Sequence, residues 1–438
     1  MSARLSRRRF LHAGAAVTVA SLWPSARAEE KKVEANDKLH VGVVGIAGRG
    51  AGNIADLADV STCQIVALCD VDEGRKDQGV QKMRDKYPKA TFHHDFRKLI
   101  EQKGLDAVLI ATPDHTHAVI TMTALKAGLH VYCEKPLTPT IREARVVAET
   151  AAKQKRVTQM GTQIHAGDNY RRVVERIRSG AIGTVKEVHV WVGVSYWGGD
   201  WPKETPPVPK ALQYDLWLGP APERSYHPSF VPYYWRRWWD FGGGGLADMA
   251  CHHMDLPFWA LGLRAPTKVS VEGDPATAHP DSAAKALTVH YEFAARGEQP
   301  PVKLTWYDGG KRPALFKEKK LPEWGDGTLF IGEKGMLLAG YTKHVLLPEE
   351  LKEQEVPEKF KIANSIGHHK EWVEACKSGG PTTCNFDYGG ALTEAVLLGN
   401  VAYRSGKSIT WDPKKLKTGS DEADKYLHKE YRKGWTLE

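Results

Sequence analysis

The segment WDFGGGGLADMACHHMD (239–255) is the richest in groups that can move a proton. Its glycines end at Gly245, and the pattern after them predicts a helix over 246–256, running as far as Pro257. Asp248 and His252 then stand four residues apart on one helix face. A carboxylate stacked on an imidazole orients the ring, favours its protonated form and makes a proton relay. A second chemical group is Lys135, set between Glu134 and Pro136 at the end of an apolar run. An ammonium there can steady negative charge developing on an oxygen. Metal binding is the rival use of Asp248, His252, His253 and Asp255, with His93, His94, His368 and His369 in reserve. Adjacent histidines on a helix diverge by about 100° and rarely share an ion, so no metal is expected.

The elements that must position these groups begin with LHVGVVG (39–45), an apolar run ending at glycine as a buried parallel strand does. GIAGRG (45–50) follows and leads into a helical pattern. Gly45 and Gly50 fit the first and third positions of the dinucleotide fingerprint, while Ala47 holds the second, with Gly48 and Arg49 beside it. QIVALCD (64–70) is a second strand ending in an acid, placed to bind ribose hydroxyls and to repel a 2′-phosphate. Asp70 therefore argues for NAD, although Arg75 keeps NADP open and Asp70 has a second reading as the cap of a helix starting at Val71. Helices over 74–86, 96–103 and 117–127 alternate with strands over 90–93, 106–112, 130–133 and 157–163. That order predicts an α/β fold, a doubly wound parallel sheet whose ligand edge gathers the Gly45 turn, Asp70, Thr112, Pro113, His117, Glu134, Lys135 and Gln163.

ATPDHTH (111–117) and ALKAGLHVYCEKPL (124–137) resemble the Gfo/Idh/MocA oxidoreductases, whose Glu-Lys-Pro motif is matched residue for residue. The resemblance runs from about residue 39 to the C-terminus. It implies a Rossmann domain followed by an α/β domain with a mostly antiparallel open sheet, in keeping with strand patterns over 185–195, 268–272, 284–293 and 302–306. It also places a catalytic Asp and His at Asp248 and His252, with Ala250 where the family often has Gly. On that reading His252 is the base, Asp248 tunes it, and Lys135 holds the reacting oxygen of a sugar or polyol. The open sheets of this family pair face to face, so a homo-oligomer is expected.

Seven tryptophans lie between Trp191 and Trp239, and flat indole faces cover sugar C–H surfaces. Trp235, Arg236 and Trp238, with His165, Tyr170 and His253, are the candidate substrate contacts; structural cover or a dimer interface is the alternative for the tryptophan-rich stretch. The chain of 438 residues, 42% hydrophobic and 26% charged, is ordinary globular composition, and no apolar run is long enough to span a bilayer. Its net charge of +8 is concentrated at the front, where five basic residues and no acid precede residue 29. The remainder lacks the basic face of a nucleic-acid binder. SRRRFL (6–11), an apolar stretch and Ala26-Arg27-Ala28 resemble a twin-arginine export signal over 1–28, with a linker over 29–37, a dinucleotide domain over 38–162 and a substrate domain over 163–438. Export to a periplasm without free NAD implies a tightly held cofactor that is regenerated in each cycle. One expectation is an NAD(P)-dependent oxidoreductase of carbohydrates. The alternatives are a glycosidase working by transient oxidation, elimination and re-reduction, and a non-catalytic sugar-binding module. Exported relatives resembling such glycosidases lack an intact Glu-Lys-Pro, which puts plain dehydrogenation first. The six cysteines show no metal-type spacing and read as free thiols, with Cys376 and Cys384 the one conceivable pair.

Overall fold

The computed structural model describes residues 37–74, 79–319 and 321–437. The expected export signal, most of the linker and Arg75 lie outside the described residues. The first sheet collects β1 (Leu39–Val44), α1 (Arg49–Ala58), β2 (Cys63–Cys69), α2 (Val80–Lys86), β3 (Thr91–His93), α3 (Phe96–Ile100), β4 (Ala107–Ile110), α4 (Asp114–Lys126), β5 (His130–Cys133), α5 (Ile141–Gln154) and β6 (Thr158–Met160). All its pairings are parallel, in the order β3-β2-β1-β4-β5-β6. This is the doubly wound order, whose strand order reverses between β1 and β4 and opens a crevice at their carboxyl ends. Local chemistry agrees with it. The α1 helix buries Gly50, Asn53, Ile54 and Leu57, a stripe at helical spacing. Thr140 and Glu143 close a capping box on α5, and Asp95 caps α3.

The chain continues through α6 (Asp168–Arg178), β7 (Val185–Trp191), α7 (Tyr214–Leu218), α8 (Gly244–His253), α9 (Asp255–Leu261), β8 (Lys268–Glu272), β9 (Thr288–Phe293), β10 (Val302–Tyr307), α10 (Leu315–Lys319), β11 (Gly327–Gly332), β12 (Met336–Ala339), β13 (His344–Leu347), α11 (His368–Ser378), α12 (Phe386–Ser405), β14 (Ile409–Thr410) and α13 (Asp421–Asp424). Eight strands form the second sheet, β13-β12-β11-β7-β10-β9-β8-β14, antiparallel except where β7 meets β10. One core joins this sheet to the first domain, with Val188, Leu304 and Trp306 packed together with Leu246, Leu398 and the α4–α5 side of the first sheet. The α11 helix returns to the opposite face of that first sheet, where Trp372 and Val373 pack with Val41 and Leu109.

Two expectations need correction. The helix over 246–256 is two helices, α8 and α9, meeting at Met254. Pro257 sits in the first turn of α9, where a missing N–H is tolerated, and the His253 carbonyl it would have served accepts from Thr328 Oγ1 instead. No helix starts at Val71, so Asp70 caps none; α2 begins at Val80 behind Gly79. The C-terminal tail is a strap. Arg142 N donates to Leu427 O, Tyr431 bonds Glu143, Arg432 pairs with Asp215, and Trp435 lies on Phe96, strapping α3 and α5 to the α7 segment. Among the described residues no helix is long and apolar enough to cross a membrane, and all six cysteines are free.

The turn from β1 into α1 fixes the crevice. Gly45 has φ +82, and a Cβ there would meet the Ala111 carbonyl oxygen at 2.6 Å. A Cβ on Gly50 would stand 1.8 Å from the Gly45 carbonyl oxygen, a backbone atom that cannot yield without opening the turn. Gly50→Ala should therefore destabilise the protein by about 3 kcal/mol, the upper end of overpacking costs. Urea unfolding at pH 7 checks this, and a loss below about 1 kcal/mol would show that the turn is pliable.

Candidate active site

A cleft of about 460 Å³ opens where the carboxyl ends of β1, β2, β4 and β5 face α8 and the tryptophan-rich segment. Gly45, Ala47, Gly48, Arg49 and Asp70 form one end, and Thr112, Pro113, His117, Glu134, Lys135 and Gln163 form its floor. Trp235, Arg236, Asp248 and His252 close the other end. Gly50 is part of the turn without lining the cleft. Its part is to bring α1 close to β1.

The dinucleotide end is a cradle for an anion. Gly48 occupies the N-cap position of α1 with no side-chain cap, so the helix start faces the cleft with its amides and dipole. Arg49 adds a cation there. The Asp70 carboxylate accepts from Ile46 N at 3.0 Å and from Asp72 N at 3.0 Å, which fixes the acid at the end of β2. The Ala47 methyl is the one departure from the all-glycine fingerprint, and it is itself nearly buried. These residues fit a bound NAD: the Gly45–Gly50 turn at the pyrophosphate, Asp70 at the adenosine ribose.

Glu134 is the hinge of the floor. Its Oε1 accepts from Arg49 Nε at 3.1 Å, Asn53 Nδ2 at 2.9 Å and Gln163 Nε2 at 2.8 Å. Gly161 leaves room for that carboxylate, since a Cβ would lie 2.7 Å from it. His117 spends both ring nitrogens on the carbonyls of Pro136, 2.8 Å away, and Thr112, 2.9 Å away, tying the ends of β4 and β5 together. The loop that carries Lys135 is thus held from both sides.

Lys135 Nζ donates to Asp248 Oδ1 at 2.5 Å and to the Asp248 carbonyl at 2.9 Å. Arg236 Nε lies 2.8 Å from the same Oδ1, with its guanidinium stacked on Trp235 at 3.9 Å. Two cations outweigh burial and hold the Asp248 carboxyl well below the usual carboxylate range. Tyr196, from the loop after β7, stands near the same carboxylate, and burial beside that negative charge pushes its phenol up to about 12. Asp248 was expected to charge the imidazole above it. Its partners are instead Lys135 and Arg236, and burial together with the Lys135 charge holds His252 well below the usual imidazole range. His252 is therefore a neutral ring at pH 7, able to accept a proton.

Four expected substrate contacts do not reach the cleft. His253 follows His252 by one position, so its ring turns away, stacks on Tyr341 and bonds that hydroxyl at 2.8 Å. His165 is buried against Trp259 and bonds Asp255 at 2.9 Å, while Tyr388 bonds the same carboxylate at 2.6 Å. Cys384 completes a group with His165 and Asp255 whose donor atoms lie within 4.8 Å, but the existing hydrogen bonds already satisfy the acid. Tyr170 is core and supports the His252 carbonyl at 3.2 Å. Trp238 is buried among Trp201 and Phe230, with its indole N–H on Ser229 O. The cleft also holds residues that sequence reasoning passed over: Asp114, Trp217, Val231, Pro232 and Tyr233. Asp114 lies inside a motif that was quoted, and its signal was an acid at a strand's carboxyl end. The others carry none.

Removing the Asp248 charge leaves two largely buried cations unpaired. Asp248→Asn should cost about 3–5 kcal/mol at pH 7. A depressed carboxylate contributes stability above its unfolded value, near 4, and loses it as the pH falls. The gap between variant and parent, read by urea unfolding, should thus narrow from pH 7 to pH 3. A gap independent of pH would mean that packing, not charge, holds the site.

Residues 39–162 match an oxidoreductase family described as an NAD-binding Rossmann fold, and residues 171–311 match that family's C-terminal alpha/beta domain. Inositol 2-dehydrogenase 1 of Saccharopolyspora erythraea is 35% identical over 153 residues, 34% of this chain and 44% of that one. A glycosyl hydrolase family 109 protein of Stenotrophomonas maltophilia is 31% identical over 205 residues, 44% and 42% of the two chains. The matched stretch thus spans less than half the length of either relative. Among solved structures, a WlbA dehydrogenase from Chromobacterium violaceum, in complex with NADH and UDP-GlcNAcA, superposes with a TM-score of 0.61 at 19% identity, covering 86% of this chain and 97% of that one. Two domains in family order, a fingerprint turn feeding the first and the Glu134–Lys135–Pro136 loop facing Asp248 and His252 agree with these matches: the chain belongs to the Gfo/Idh/MocA family of NAD-binding oxidoreductases.

Proposed function

We propose that the protein oxidises a carbinol of an uncharged sugar or polyol, with NAD held in the cleft. The observation that carries this reading is the meeting of Lys135, Asp248 and a neutral His252 at one end of a cleft whose other end is an anion cradle. A bound nicotinamide supplies the hydride acceptor. The remaining work falls to side chains of this chain. Neutral His252 accepts the hydroxyl proton, since burial and Lys135 keep the ring unprotonated at pH 7. Lys135, anchored on Asp248, donates to the same oxygen and stabilises the negative charge that develops on it. Asp248 and Arg236 keep that ammonium in place.

The substrate class rests on the match to inositol 2-dehydrogenases and on the balanced charges at this end of the cleft. Export through the twin-arginine segment over 1–28 is part of the proposal, as is an NAD that stays bound between turnovers. The family 109 match supports a second reading, in which a transient ketone acidifies the neighbouring C–H, a glycosidic group is eliminated and the sugar is re-reduced. The intact Glu134–Lys135–Pro136 run keeps dehydrogenation first.

Nucleotide released from the purified protein by denaturation should be near-stoichiometric NAD or NADH by mass. Lys135→Met should keep that nucleotide while lowering carbohydrate oxidation by about 10²–10³, the scale of losing one oxyanion donor. Unchanged turnover in that variant would sink the assignment and favour a sugar-binding module. Deuterium exchange at a substrate carbon without net NADH, alongside glycoside cleavage, would favour the second reading.

A further inference from the structure

The reaction centre holds two carboxyls, Asp114 and Asp248, and two cations, Lys135 and Arg236, but their pairing is lopsided. Asp248 takes both cations. Asp114, the first residue of α4, is 1% exposed and lines the same cleft, and neither of its oxygens has a hydrogen-bond partner. A carboxylate at a helix start ordinarily accepts amide hydrogen bonds. This one accepts none. On its own helix, His115 is turned to the Trp217 carbonyl and His117 to those of Thr112 and Pro136. The charges that face Asp114 come from every element packed around it: Arg236 from the turn before α8, Lys135 from the loop after β5, Asp248 from α8 itself, and Lys429 from the C-terminal strap. Lys429 reaches in from below, with Nζ 3.4 Å from the His115 carbonyl.

Arg236 is correspondingly loose. Its Nε is buried 2.8 Å from Asp248 Oδ1 without an aligned hydrogen bond. A guanidinium with one imperfect acceptor stands beside a carboxyl with no donor at all. Each supplies what the other lacks, and a buried polar group left unmatched destabilises the fold. Burial pushes the Asp114 carboxyl up to about 7 against the pull of Arg236, Lys135 and Lys429, so it changes charge near neutrality.

We propose that Asp114 is a positioning residue of the reaction centre and the alternative carboxyl partner of Arg236, drawing the guanidinium off Asp248 when ionised and returning it when protonated. The ionised form also places a negative charge near Lys135, offsetting part of the ammonium charge that depresses the His252 ring and so strengthening its proton acceptance. Turnover therefore rises as Asp114 ionises. His252, held well below the usual imidazole range, contributes no limb of its own near neutrality.

The kinetic arm of the test rests on the proposed function, and the other two arms do not. Because Arg236 stacks on Trp235, movement of the guanidinium registers in the emission of that indole. The component of fluorescence that Trp235→Phe removes should titrate with a midpoint near 7 in the parent and lose that titration in Asp114→Asn. Stability supplies the second readout. A carboxyl raised above its unfolded value penalises the folded state as pH rises through that window. Asp114→Asn should then melt above the parent at pH 8, with the gap narrowing steadily as the pH falls toward about 4, and Asp114→Ser should show the same trend if the first variant folds poorly. With NAD and myo-inositol as probes, the parent should show a kcat limb near pH 7 that Asp114→Asn abolishes, with KM changed less than about twofold. Flat emission in the parent, the same titration in both proteins, or a lower melting point in both variants at pH 8 would each overturn the proposal. A raised KM with the limb intact would overturn it in favour of direct substrate contact. Absence of any turnover with myo-inositol in the parent would count against the polyol reading and leave Asp114 to be decided by emission and stability.

Discussion

The Asp248 carboxylate is where the two halves of the molecule are joined electrically. Lys135 comes from the carboxyl end of the Rossmann sheet, Arg236 from the tryptophan-rich segment, and the acid from α8 of the second domain. Both side chains of the Lys135–Asp248 pair are nine-tenths buried or close to it. Burying a charge is costly unless it is paired and hydrogen-bonded. The cleft can therefore close around the acid only when all three elements are in register. That single constraint explains why so much surrounding structure serves placement rather than contact. The Glu134 network grips the loop on one side of Lys135, and His117 ties down the other. Tyr170 supports the backbone of His252.

This arrangement also shows what the sequence could and could not tell. The parallel sheet was legible because its strands are short apolar runs punctuated by glycine and acids, and the bounds of 130–133 and 268–272 coincide with β5 and β8. Strands β11, β12 and β13 were not read, since each is four to six residues long and its pattern becomes decisive only beside β7. The identities of Lys135, Asp248 and His252 were visible as motifs, but their pairing was not. Helical spacing put Asp248 under His252, whereas the stronger attraction comes from cations more than a hundred residues away in one case and twelve in the other. Spacing along one helix reports proximity. It cannot report which of several neighbours carries the greater charge.

The aromatic-rich stretch divides for a similar reason. Trp235 and Arg236 line the cleft, and Trp235 also belongs to the apolar cluster of Trp217, Phe230, Trp238 and Phe241, of which four only Trp217 touches the cleft as well. Composition alone gives every indole in such a segment the same claim on a sugar. Position within the cluster separates them, because Trp217 and Trp235 border the cleft whereas Trp238 is enclosed by Trp201 and Phe230. His165, His253 and Tyr170 were lost to the same cause: each found a partner inside the second domain that satisfied its polar atoms.

Charge balance then narrows what the cleft can hold. At the dinucleotide end Arg49 is partly neutralised by Glu134, so most of the attraction for a pyrophosphate must come from the uncapped start of α1 and the turn amides. At the other end Lys135 is committed to Asp248, while Arg236 leans on the same acid with Asp114 and Lys429 close behind. An anionic substrate would have to compete with Asp248 for Lys135, paired at 2.5 Å, and would meet the Asp114 and Asp248 carboxyls around Arg236 in a low-dielectric site. A polyhydroxylated, uncharged molecule faces no such competition, since hydroxyls both donate and accept and can join the existing pairs without breaking them. The same logic explains a neutral His252. A protonated ring would add a third cation to a site with one fully committed acid, so the ring stays neutral.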